Sequence, residues 1–193
     1  MKDFIKIFAK NLIIIFISVA TVLFISDLIY AKQIGNFTTA ELGENYPPLS
    51  KMVAWIEKDM GLDPESVKIK YLKKDQIPSS CEHLGGWVRQ DEPNTIYINT
   101  VAVHNTAIYN SSIFIWERPQ KEYLTYIRFI AHELQHIKQI RIGSMDWGEY
   151  INNNYGSDTY SQIYTEEDAE NTSKYYRDKV LQIMKSKDFS EIN

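Results

Sequence analysis

The 193-residue sequence predicts an α+β domain, because segments with a helical spacing of apolar residues flank a group of segments in which apolar residues alternate. Helical spacing occurs over residues 49–60, 123–137 and 169–183. The alternation typical of strands occurs over 67–71, 87–88 and 96–98. The expected order is therefore a helix, three strands in a small and mostly antiparallel sheet, and two further helices.

The first half of this pattern contains the sheet. In the first helix one face is apolar, with Leu49, Met52, Val53, Ile56 and Met60, and Gly61 is a suitable residue to end it. Between the second and third strands, residues 91–94 (Asp-Glu-Pro-Asn) are typical of a hairpin turn. Residues 101–116 mix apolar residues with Asn and Ser, and fit either another strand or a loop that covers a cleft.

The central helix carries an apolar stripe and, on its other side, two histidines. Pro119 suits the first turn, and the stripe consists of Tyr123, Ile127, Ile130, Leu134 and Ile137. At 100° per residue, His132 and His136 fall roughly opposite the stripe. The stripe can therefore enter a core while the histidines face a cleft, and Gly143 is a plausible end for the helix.

Residues 132–136 read H-E-x-x-H, which is a metal-binding pattern when it lies on a helix. Positions i and i+4 share one helix face, so the imidazoles of His132 and His136 can reach one metal ion. Glu133 can then bond a metal-bound water without ligating the metal, and can remove its proton. The alternative is a surface helix whose polar face carries two histidines by chance.

A third ligand should be a carboxylate further along the chain. Catalytic zinc commonly has three protein ligands and one open position, and no histidine follows His136. Gln139 and Ile142 stand where the longer pattern H-E-x-x-H-x-x-G-x-x-H has its glycine and third histidine. The acidic run after Thr165, which opens the next predicted helix, offers Glu166 and Glu167. This run could instead serve only to complement the positive end of the helix.

The two motifs together resemble the gluzincin-type zinc metallopeptidases, including Ste24-like membrane proteases and the smaller minigluzincin-like bacterial peptidases. In these families H-E-x-x-H is followed by E-x-x-A-(D/E), and the glutamate three residues before the alanine is the third zinc ligand. Here that alanine is Ala169, and Glu170 stands where the family usually has aspartate. The motifs and the segment between them cover about a third of the chain. The resemblance implies Zn²⁺ ligands His132, His136 and Glu166, with Glu133 as the catalytic base.

The same resemblance implies a zincin-like fold, in which a sheet packs on the motif helix and an edge strand lines the cleft. An extended peptide can pair with such an edge through main-chain hydrogen bonds, and the predicted hairpin offers the best strands for it. A tyrosine or histidine often stabilises the oxyanion in zinc peptidases, and Tyr160, Tyr164 and His104 are candidates that spacing does not separate.

Cys81 and His83 are residue types that bind zinc, but a lone Cys-x-His has low specificity. The preferred interpretation is a loop cysteine near Gly85 and Gly86. With a single cysteine, an internal disulfide is excluded.

Residues 1–31 have the layout of a signal peptide or a signal anchor. Lys2, Lys6 and Lys10 precede the almost wholly apolar residues 12–25, and a small residue at the expected cleavage position occurs only at Ala31, which favours an uncleaved anchor. We then expect a linker over 32–48 and a zincin-like domain over 49–193. The domain would be extracytoplasmic, either anchored to the membrane or secreted or periplasmic after cleavage.

The function expected from these features is that of a zinc metallopeptidase acting on a peptide or protein. The net charge of −4 and the absence of a basic aromatic groove in the sequence argue against nucleic acid as a partner. Two alternatives remain: a zincin-like metal-binding module with a non-catalytic role, and a membrane-anchored interaction protein without metal.

Overall fold

The structure is a computed structural model, and it describes residues 47–64, 66–110, 118–148, 150, 164–190 and 192, together with Ile15, Ser18 and Thr21. The chain divides into two units, Met1–Thr38 and Thr39–Asn193. The signal segment predicted over 1–31 and the linker over 32–48 lie almost wholly outside the described residues. Within the described part of the chain, no helix combines the length and hydrophobicity of a membrane span.

The second unit contains helices and a small sheet, which confirms the α+β class. Its elements in chain order are α1 (Leu49–Asp59), β1 (Lys68–Leu72), β2 (Gly86–Arg89), β3 (Glu92–Asn99), α2 (Thr100–Tyr109), α3 (Arg118–Arg141) and α4 (Tyr164–Ser186). Two short 3-10 helices, Lys74–Gln76 and Ser79–Cys81, lie between β1 and β2.

The sheet is mixed, so the prediction of a mostly antiparallel sheet is wrong. Its strand order is β1-β3-β2. The predicted hairpin is present, with β2 antiparallel to β3, but β1 runs parallel to β3. The difference arises because the long connection after β1 carries the chain to the far side of β3, whereas alternation in a sequence does not encode strand direction. The hairpin turn is also shorter than predicted, since Glu92, Pro93 and Asn94 belong to β3.

Helix α2 replaces the strand or loop that the sequence predicted from residue 101, while residues 111–116 of that prediction lie outside the described residues. The side chain of Asn99 caps this helix, because its Oδ1 accepts a hydrogen bond from the amide of Ala102 at 2.9 Å. Val103 and Ala107, four residues apart, are its buried positions. Apolar residues lie on all sides of α2, so the helical period is not visible in the sequence.

Helix α3 is the centre of the fold, and its predicted apolar stripe is confirmed. The five stripe residues Tyr123, Ile127, Ile130, Leu134 and Ile137 are all buried. The helix contacts α4, α2, β3, α1 and β2. With one side of α3 fixed in the core, His132, Glu133 and His136 of the motif are held towards β2 and the start of α4.

Candidate metal centre

Three side chains from two helices converge at one point. His132 and His136 of α3 have their Nε2 atoms 3.0 Å apart. Glu166, in the first turn of α4, places one carboxylate oxygen 3.4 Å from His132 Nε2 and the other 3.3 Å from His136 Nε2. His136 and Glu166 are buried, while His132 retains 14% of its side-chain exposure. The described residues therefore contain one His-His-Glu cluster that could hold a metal ion.

The spacing of these donors fits a tetrahedral ion. Ligands about 2.0–2.1 Å from a tetrahedral zinc ion lie roughly 3.3 Å from one another, and the three distances here are 3.0, 3.3 and 3.4 Å. The donor set, two imidazole nitrogens and a carboxylate, is one that zinc accepts in hydrolytic sites. The residues present therefore fit the ion that the sequence predicts.

The structure also distinguishes Glu166 from Glu167, the two candidates for the third ligand that the sequence left open. Glu166 is 1% exposed and faces the histidines, whereas the side chain of Glu167 is exposed to solvent. Glu170 points elsewhere, because its carboxylate pairs with Arg128 at 2.6 Å and with Lys174 at 3.2 Å. Of the acidic residues at the start of α4, Glu166 is thus the one placed to ligate with the histidines.

Glu133 lies beside this cluster and against the edge of the sheet. It is buried, and its Oε2 accepts a hydrogen bond from the hydroxyl group of Tyr150 at 2.9 Å. A Cβ atom on Gly86 of β2 would come within 3.1 Å of Glu133 Cγ, so the two residues are in close contact. Glu133 is not a member of the His-His-Glu cluster, and its role as a base that does not ligate the metal stays a prediction.

Tyr150 is a site residue that the sequence did not single out. Its hydroxyl group also accepts a hydrogen bond from the amide of Val88 in β2 at 2.7 Å, and its ring packs edge-on against that of His136. Its aromatic neighbour Trp147 packs edge-on against Tyr150 in turn. Tyr150 lies between the two motifs, and nothing in the spacing of the sequence distinguishes it from the other tyrosines there, such as Tyr155 and Tyr160.

The three oxyanion candidates named from the sequence have different outcomes. Tyr160 lies outside the described residues. Tyr164 begins α4 and is 82% exposed. His104 contacts Glu122 of α3, with Nδ1 4.0 Å from a carboxylate oxygen, and Glu122 lies ten residues before His132, roughly 15 Å away along the helix. His104 is therefore remote from the cluster.

The environment of His136 defines the electrostatics of the site. Burial of the ring disfavours its charged form, but the hydrogen bond with Glu166 and the charges of Glu133 and Glu166 outweigh this and raise the pKa of His136 above its ordinary value. A metal ion must therefore compete with a proton for Nε2, the ring nitrogen of His136 that faces Glu166. On the other side of the ring, Nδ1 lies 2.9 Å from Gln139 Oε1.

Cys81 belongs to the core and not to a metal site. It is buried with Trp87 and Tyr97, whose rings are stacked, whereas His83 is exposed. Leu72, Ile77 and Leu84 pack against this cluster. The sequence predicted a loop cysteine, whereas the structure places Cys81 at the end of the short 3-10 helix Ser79–Cys81, within this buried cluster.

Comparison with known proteins gives no match: no family model fits the chain, and no curated protein or solved structure is significantly similar to it. The function must therefore be inferred from the site itself.

Proposed function

We propose that this chain is a zinc-dependent metallopeptidase of gluzincin-like type, with a zincin-like domain tethered outside the cytoplasm by its N-terminal segment. The observation that carries the proposal is the convergence of His132, His136 and Glu166 beside a separate buried carboxylate, Glu133. A site that only binds a metal for structure has no use for such a base, whereas a hydrolytic site requires one.

His132, His136 and Glu166 would hold Zn²⁺, which supplies a more acidic bound water and polarises a peptide carbonyl. Glu133 takes the proton of the attacking water and then passes it to the leaving amine. Its position one residue after His132 and its contact with Gly86 keep it between the ligands and β2.

The edge of β2 is the surface that we propose for the substrate. In the described sheet β2 pairs only with β3, and the amide of Val88 is directed away from β3, because it donates to Tyr150. An extended peptide could accept this amide hydrogen bond in place of Tyr150 and so lie beside Glu133. This mode of binding uses main-chain groups, and it is compatible with many peptide sequences.

One observation favours a second candidate, a metal-binding module without turnover. The Tyr150 hydroxyl group already engages both Glu133 and the Val88 amide, which are the groups that a water molecule and a substrate would use. A protein in which this arrangement persists would bind metal and hydrolyse nothing. An interaction protein without metal is the third candidate.

The test measures metal content and peptide hydrolysis on the full-length chain and on Glu133→Gln. We expect about one zinc per chain in both proteins, with turnover lower by about 10²- to 10⁴-fold in the variant. Equal hydrolysis by the two proteins would refute the role of Glu133. Zinc in both proteins without hydrolysis of a broad peptide library by the wild type would favour the module, and a folded wild type without zinc would favour the interaction protein.

A further inference from the structure

Gln139 occupies a buried position one turn after His136, and its side-chain amide is fully engaged. It is 3% exposed. Its Nε2 donates to the main-chain oxygen of Thr165 at 3.0 Å and to Asp168 Oδ2 at 2.9 Å, while its Oε1 lies 2.9 Å from His136 Nδ1. A single side chain thus connects one candidate ligand on α3 to the residue that immediately precedes another, Glu166.

These bonds determine how the amide is oriented. The Thr165 carbonyl and the Asp168 carboxylate are both acceptors, so the group that faces them must be the NH₂ of Gln139. The oxygen of the amide is then the atom that faces His136, and it can only accept. In its neutral form, which is the form that can bind a metal, His136 must therefore carry its proton on Nδ1, and the lone pair of Nε2 is then directed at His132 and Glu166.

We propose that Gln139 is a positioning residue for the metal centre: it holds His136 in the tautomer whose Nε2 can ligate, and it fixes the start of α4 so that Glu166 meets the histidines. This inference rests on the proposed metal site. Partners of this kind on the second nitrogen of a ligating histidine typically change metal affinity by about 10- to 100-fold. Asp168 contributes by holding the NH₂ group of Gln139.

A merely structural bond between α3 and α4 is the competing explanation, and Gln135 provides the matched control. Gln135 donates to the same Asp168 oxygen at 2.6 Å, whereas the bonds to His136 Nδ1 and to the Thr165 carbonyl are made by Gln139. Methionine is close to glutamine in size and shape and lacks the amide. Gln139→Met and Gln135→Met thus remove the same chemical group from neighbouring positions.

The experiment uses full-length protein with zinc alone as the probe, in competition with a chromophoric chelator. We expect zinc affinity to fall about 10- to 100-fold in Gln139→Met and to remain near the wild-type value in Gln135→Met. A second measurement follows the Nδ1–H proton of His136 by NMR in ¹⁵N-labelled protein at saturating zinc. This proton should be protected from solvent exchange in the wild type and in Gln135→Met. It should lose that protection in Gln139→Met. A change in helix packing alone would not produce this difference at one ring nitrogen.

Wild-type affinity together with a protected Nδ1–H in Gln139→Met would overturn the inference. If Gln139→Met does not fold, the pair Asp168→Ala and Asp168→Asn decides, because asparagine keeps an oxygen acceptor for Gln139. We then expect weaker zinc binding in Asp168→Ala than in Asp168→Asn, and equal binding would refute the inference. Failure of the proposed metal site is distinguishable, because the wild type would then bind no zinc, and failure of the peptidase activity alone would leave zinc binding by the wild type in place.

Discussion

The hydroxyl group of Tyr150 joins Glu133 to the edge of the sheet. It donates to Glu133 Oε2 at 2.9 Å and accepts from the amide of Val88 at 2.7 Å, and all three residues are buried. The proposed base and the strand proposed to bind substrate are thereby connected through one oxygen atom. The geometry of both depends on a residue that lies in the connection between the two motifs.

Removing this hydroxyl group should destabilise the fold. In Tyr150→Phe the buried carboxylate oxygen of Glu133 and the amide of Val88 both lose a partner, and we expect the free energy of unfolding to fall by about 1–3 kcal/mol. Urea denaturation of the metal-free protein measures this. Tyr109→Phe is the control, because Tyr109 is 89% exposed and should change stability by less than about 0.5 kcal/mol. Equal effects of the two changes would contradict the importance of the Tyr150 bonds.

Gly86 is required by the close approach of β2 to Glu133. A Cβ atom there would lie 3.1 Å from both Glu133 Cγ and Ile98 Cδ1 and 3.4 Å from the Tyr97 carbonyl oxygen. Gly86→Ala should therefore cost about 1–3 kcal/mol of stability, as overpacking usually does. It should also reduce peptide hydrolysis, because Glu133 must shift.

Thermal unfolding and a peptidase assay of Gly86→Ala check these two effects. Gly148→Ala is the control, since a Cβ atom at Gly148 would meet only the carboxylate of Asp146, which is exposed. If Gly86→Ala has wild-type stability and activity, the contact between position 86 and Glu133 does not constrain Glu133.

The sequence predicts the parts of this fold whose residues lie close together in the chain. The stripe and the two histidines of α3 follow from the period of a helix, and the structure brings Glu166 to them as the motif suggests. Strand direction could not be predicted, because β1 and β3 pair across more than twenty residues. Helix α2 was missed since its apolar residues have no preferred face.

Tyr150 and Gln139 belong to the site because they form hydrogen bonds with residues that are distant in the sequence, and local sequence patterns do not show such bonds. Tyr150 accepts a hydrogen bond from the amide of Val88, 62 residues earlier in the chain, and Gln139 donates one to the main-chain oxygen of Thr165, 26 residues later. Gln139 could have been noticed, because it lies one turn after His136 on the same helix face. Its partners on α4 become known only when the two helices are placed together.

The apolar stripe of α3 should dominate the stability of the fold. Ile127 is fully buried at its centre, and truncation to alanine removes buried methyl and methylene groups and leaves a cavity. We expect Ile127→Ala to lower the free energy of unfolding by about 2–5 kcal/mol. Ile142→Ala, at a position 68% exposed, should change it by less than about 0.5 kcal/mol. Denaturant midpoints measure both, and similar values for the two variants would mean that α3 is not packed as described.

Zinc should stabilise the folded chain, and the two adjacent glutamates should differ in their effect. A ligand that binds only the folded state at 100 times its dissociation constant adds about 2.7 kcal/mol, which corresponds to a rise of roughly 5–10 °C in the melting temperature of a domain of this size. Glu166→Gln removes a buried carboxylate that faces both histidines, whereas Glu167→Gln changes an exposed one. The zinc-induced rise should therefore disappear or shrink in Glu166→Gln and persist in Glu167→Gln.

Differential scanning calorimetry with zinc and with excess chelator gives this rise for each protein separately. Comparing the rises, and not the melting temperatures themselves, removes any effect of the substitutions on the metal-free fold. If the rise is lost in Glu167→Gln but not in Glu166→Gln, the third ligand is Glu167, and the assignment of Glu166 is wrong. An equal rise in both variants would mean that the carboxylates at the start of α4 do not ligate, and that zinc is held by the two histidines without them.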